Sequence, residues 1–91
     1  MLFMVQMQVN IPHDMDPKKA DAIKLAEKNY AQDLQRQGKW LHLWRVVGRY
    51  ENVSIFDAPD NDALHTMLSN LPLYPYMDIH VTALAKHPSA I

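Results

Sequence analysis

The segment from Ala20 to Leu34 carries one residue out of keeping with its neighbours. Ala20, Ile23, Tyr30, Ala31 and Leu34 recur at helical steps and make an apolar stripe, and the stripe position between Ile23 and Tyr30 holds Glu27. A carboxylate is rarely taken inside a protein unless it is paired. Desolvation there would raise its pKa and make it a better proton acceptor near neutral pH. The structural alternative is that Glu27 reaches the edge of the stripe, or pairs with Lys24 one turn earlier or with Arg45. A second set of residues bears on the choice. Tyr50, Asn52, Ser54 and Phe56 alternate with Glu51, Val53, Ile55 and Asp57, so each set shares one face of a strand. Hydrophobic pattern alone turns Val53 and Ile55 inward. In the opposite orientation Tyr50 and Asn52 approach Glu27 across a cleft. A base would then face two neutral hydrogen-bonding groups, a layout suited to abstracting a proton next to a conjugated carbonyl. The residues themselves leave both orientations open.

Other chemistries find little support. Of the five histidines (His13, His42, His65, His80 and His87) no two have the i, i+4 spacing of a helical metal pair, and there is no cysteine. Two glycines in the whole chain cannot build a phosphate-cradling loop, and there is no nucleophile elbow. Neither a metal nor a nucleotide cofactor is expected. The net charge of −1, with no basic stripe, argues against nucleic acid as a partner. The opening MLFMVQMQVN is apolar but broken within ten residues and lacks a basic leader, so it reads as a strand rather than a signal peptide. No stretch reaches the roughly 18 to 20 apolar residues that span a bilayer. The expected setting is cytoplasmic, with no membrane partner.

The elements that would position Glu27 follow from periodicity and punctuation. Phe3, Val5, Met7 and Val9 share one face and Gln6, Gln8 and Asn10 the other, with Leu2 and Met4 at its start, which marks a half-buried strand. Asp16 is a helix cap, Pro17 suits the first turn, and Gly38 stops the helix near Gln37. KWLHLWRVVGRYENVSIFDA reads as two strands around a tight turn at Gly48 and Arg49. Asp60 or Asn61 caps a second helix with a stripe of Leu64, Met67, Leu68 and Leu71, which Pro72 and Pro75 end. Ile79, Val81 and Ala83 share one face of a last strand. The order β-α-β-β-α-β over 91 residues predicts one α+β domain, residues 1–91, of ferredoxin-like form: a four-stranded antiparallel sheet with both helices on one face. Simple alternation puts Trp40, His42, Trp44 and Val46 together on one face of the second strand, a candidate subunit interface on the side of the sheet that the helices leave uncovered. Two Trp, four Tyr, two Phe and six Met are a generous apolar supply for so short a chain, which favours a homo-oligomer over a monomer.

Over nearly its whole length the chain resembles the muconolactone Δ-isomerase family. The resemblance rests on MLF with MDP, IKLAEK, QGKWLHLWRVVGRYENVSIFD, LPLYPYMDI and HPSAI, with the run from Lys39 to Asp57 and LPLYPYM the most specific parts. It implies a cofactor-free enzyme of catechol ortho-cleavage, the β-ketoadipate pathway. Such an enzyme converts (+)-muconolactone into 3-oxoadipate enol-lactone and is built as a ring-like homodecamer. The catalytic Glu, Tyr and Asn of the family match Glu27, Tyr50 and Asn52. A cation for the acetate arm of the lactone is assigned to Lys24 first and Arg45 second, each also fit for an ordinary surface role. One departure stands at Met4, where relatives often carry His in MLFHV; Met is an easy replacement if the position only packs. Two alternatives share the scaffold: a chloromuconolactone dehalogenase using the same base, and a non-catalytic oligomeric binding module.

Overall fold

The computed structural model describes residues 1–91. Strand β1 (Leu2–Val9) is followed by helix α1 (Pro17–Arg36), strands β2 (Trp40–Arg45) and β3 (Glu51–Asp57), helix α2 (Asn61–Ser69) and strand β4 (Met77–Leu84). One turn of 3₁₀ helix, Tyr74–Tyr76, leads into β4. The strands form a single antiparallel sheet in the order β2-β3-β1-β4, the ferredoxin-like arrangement. No helix is long and apolar enough to cross a membrane.

The boundaries have local causes. Asp16 accepts a hydrogen bond from the Lys18 N–H, and Pro17 sits in the first turn of α1. Gly38, at φ 73°, takes the left-handed backbone that lets the chain leave the helix. Asp60 caps α2, its carboxylate accepting from the Ala63 N–H at 2.7 Å. Between β2 and β3, the Arg49 N–H donates to the Val46 carbonyl and Gly48 has φ 80°, so this turn needs its glycine.

The core lies between the sheet and the two helices. Phe3, Val5 and Met7 of β1 meet Ala31 and Leu34 of α1 and Leu64 and Leu68 of α2. The Tyr30 hydroxyl donates to the Met67 carbonyl at 2.9 Å and ties the two helices together. On β3 it is Ser54 and Phe56 that turn inward, both fully buried, opposite Val5 and Phe3 of β1. Asn52 shares their face, whereas Val53 and Ile55 lie on the outer face across from Gln6 and Met4. The hydrophobic pattern of β3 is thus overridden: β1 brings Phe3, Val5 and Met7 to the inner face, and the pairing register carries Phe56, Ser54 and Asn52 with them.

Strand β2 corrects the expectation of a shared Trp40, His42, Trp44 and Val46 face. Trp40 pairs with Phe56 and His42 with Ile55, so an extra residue is accommodated at Leu41 and the register shifts. This bulge reverses the alternation. Trp40 turns into the core, 2% exposed, with its ring 4.5 Å from that of Phe56. Trp44 points the other way, 55% exposed, stacked on His42 at 4.9 Å. Val46 lies beyond the end of the strand.

Candidate active site

Glu27 lies one turn before buried Ala31 on α1 and is half-buried at the edge of a cavity of about 200 Å³. From α1 the cavity takes Lys24, Glu27, Lys28 and Ala31. The sheet supplies Val9, Trp40, Leu43, Asn52 and Met77, with Tyr50 from the end of the β2–β3 turn. Leu73, from the segment between α2 and β4, closes one side. Most of this wall is apolar, with a few polar groups reaching it, as is usual for a small-molecule site.

The Glu27 carboxylate is held by backbone rather than by a cation. Its Oε1 accepts from the Leu73 N–H at 2.8 Å. None of the ion pairs in the molecule involves Glu27, so neither Lys24 nor Arg45 pairs with it. Burial raises the Glu27 pKa above its ordinary 4.5, and the Leu73 hydrogen bond opposes the rise only in part. The phenol of Tyr30 is also pushed up, first by burial and then by the nearby Glu27 charge. A carboxylate with a raised pKa, one oxygen anchored and the other unbonded by protein, is equipped to take up and release a proton.

Across the cavity, Tyr50 and Asn52 come from the β2–β3 hairpin. The β3 orientation described above puts Asn52 on the inner face. Tyr50 directly precedes β3, and its carbonyl accepts from the Val9 N–H at 2.9 Å, which fixes the backbone there to β1. The Asn52 Oδ1 accepts from the Ser54 hydroxyl at 2.8 Å.

The fold therefore brings Glu27, Tyr50, Asn52 and Lys24 to one cavity. Arg45 does not border it. Arg45 lines an adjoining cavity of about 340 Å³ that shares Val9, Leu43, Tyr50 and Asn52 as a common wall. Two contributors escape a reading of the sequence. Lys28 stands one helical turn from Lys24, a spacing that could have signalled it. Leu73 contributes through a backbone N–H, which leaves no signature in residue type.

A family model described as muconolactone delta-isomerase matches residues 1–90. A muconolactone Δ-isomerase of Cupriavidus pinatubonensis is 64% identical over 91 residues, covering 100% of this chain and 99% of the relative. Another, from Acinetobacter baylyi, is 56% identical over 100% of this chain and 95% of its own length. A crystal structure of muconolactone isomerase superposes with a TM-score of 0.96 at 57% identity, over 100% of this chain and 95% of that one. A structure from Deinococcus radiodurans, 11% identical with a TM-score of 0.52, shares the fold alone.

Proposed function

The chain belongs to the muconolactone Δ-isomerase family, and on that premise we propose that Glu27 is the proton carrier of its reaction. The activity is the isomerisation of (+)-muconolactone to 3-oxoadipate enol-lactone, a step of catechol ortho-cleavage. The substrate is a butenolide with a ring proton γ to the lactone carbonyl. Glu27 removes that proton, the ring double bond moves from the α,β to the β,γ position, and the proton is returned at the α carbon. No atom is gained or lost. Between the two steps the negative charge sits largely on the carbonyl oxygen. The Tyr50 hydroxyl and the Asn52 amide donate hydrogen bonds to it.

The observation that carries this reading is the state of Glu27: half-buried, raised in pKa, and anchored through Oε1 to the Leu73 N–H. The anchor holds one oxygen, so Oε2 is the atom that moves the proton along one face of the ring. The acetate arm needs a positive partner, and Lys24, now with Lys28 on the same wall, supplies it. Arg45, on the adjoining cavity, is the second choice.

The same chain is proposed to assemble as a ring-like homodecamer. The support is the sheet face that the helices leave open, where the exposed Trp44 stands beside Val53 and Ile55.

Purified protein incubated with (+)-muconolactone tests the function. Enol-lactone formation is expected; release of chloride from 5-chloromuconolactone with no turnover of muconolactone would transfer the site to the dehalogenation reaction.

A further inference from the structure

Ser54 is the one polar residue buried in the core of this protein, at 0% exposure. It lies on β3 between Val5 of β1 and Leu43 of β2, a place where an apolar side chain would be expected. Its hydroxyl makes a single hydrogen bond, donated to the Asn52 Oδ1 at 2.8 Å. We propose that Ser54 is a positioning residue whose hydroxyl locks the Asn52 amide with its NH₂ group toward the cavity, so that a donor rather than an acceptor meets the developing oxyanion. The proposal rests on the reading of Asn52 as an oxyanion donor.

An amide side chain has two faces of nearly equal shape and opposite polarity. Turned one way, Asn52 offers N–H groups to a negative oxygen; turned the other, it offers lone pairs that repel it. Ser54 bears on the choice because the Asn52 Oδ1 is the one hydrogen-bond partner its hydroxyl has. With Oδ1 toward Ser54, the hydroxyl is satisfied and no buried polar side-chain atom in the molecule lacks a partner. With the amide reversed, the hydroxyl could accept from the amide nitrogen, but its proton would lose the one acceptor it has here. A penalty of that kind shifts a population by roughly 10- to 100-fold. The Asn52 Nδ2 itself donates to no protein group, so its two protons remain available to a ligand in the cavity. Spacing makes the lock possible, since residues i and i+2 of a strand share a face.

Four enzymes test the idea: the parent, Ser54→Ala, Asn52→Ala and the double variant, each assayed for kcat and KM with muconolactone. Ser54→Ala is expected to lower kcat about 10-fold and to change KM by less than about twofold, because the donor matters most when the charge forms. In the Asn52→Ala background, removing the Ser54 hydroxyl is expected to cost nothing more. Parent-like kcat in Ser54→Ala beside a slow Asn52→Ala enzyme would overturn the lock while leaving the Asn52 role intact. So would losses that simply multiply in the double variant. Parent-like kcat in Asn52→Ala removes the Asn52 role and the lock with it. Should Ser54→Ala not fold, Ser54→Cys, close in size and a poor donor, repeats the test: kcat below the parent is expected, and parity overturns the proposal.

Discussion

Glu27, the proposed proton carrier, sits where its charged form costs stability. Its folded pKa lies above the ordinary 4.5 because burial disfavours the carboxylate. A raised folded pKa means that the contribution of the protonated group to stability is complete below the unfolded value and is lost as pH rises through the folded one. Glu27→Gln is neutral and keeps an oxygen for the Leu73 N–H. It is expected to melt at a higher temperature than the parent at pH 7, with the difference closing toward acid pH. With Glu27 as the proposed base, kcat/KM is expected to fall as pH drops through the folded Glu27 pKa, with an acid limb above 4.5. For the proposed oxyanion donors, Tyr50→Phe and Asn52→Asp are each expected to lower kcat about 100- to 1000-fold, measured at saturating substrate. Lys24→Ala is expected to act on KM, raising it about 10-fold, if Lys24 holds the acetate arm as proposed, because such a contact would be made before and during the reaction. At this scale the sequence was informative where helical spacing decides, and the inward position of Glu27 followed from that alone. It was silent on Leu73, whose backbone N–H would be the same whatever residue stood there.

At the scale of elements, the two hairpin strands show where periodicity succeeds and fails. The cap at Asp16, the stop at Gly38 and the turn at Gly48 act through local backbone chemistry and were legible. Of Asp60 and Asn61 it is Asp60 that caps α2, which ends at Ser69 with Asn70 as its C-cap, so Leu71 lies past the helix and Pro72 is not its stop. The facing of β2 was not. A bulge at Leu41 reverses an alternation that looks regular on paper, and only the pairing with β3 reveals it. The facing of β3 was undecided for a related reason: Val53 and Ile55 are as suited to an inner face as Ser54 and Phe56, and the partner strand β1 makes the choice. Two stability measurements follow. Trp40→Ala removes a buried ring from both the core and the cavity wall and is expected to cost about 3–5 kcal/mol in urea unfolding. Gly48→Ala meets no atom within 4 Å, so its cost is conformational alone, about 1–2 kcal/mol for an L-residue at φ 80°.

The molecule as a whole is a two-layer unit with helices on one side and an open sheet face on the other. The order of elements, and hence this architecture, followed from the sequence because each element had its own period and its own boundaries. Whether anything lies against the open face did not, since Trp44, Val53 and Ile55 fit a solvated sheet and a subunit contact equally well. The proposed decamer makes a definite prediction: light scattering should give about 105 kDa, ten copies of a 10.5 kDa chain. Trp44→Asp on the outer face should lower that mass. A parent that scatters as a 10.5 kDa monomer would remove the assembly from the account.

The central claim is that one carboxylate, Glu27, carries the proton between two carbons of the lactone. The most direct test is the rate of enol-lactone formation by Glu27→Gln against the parent, at saturating muconolactone and with matched circular dichroism. A folded variant slowed by about 100- to 10,000-fold is the expected result. Equal turnover in the two would contradict it.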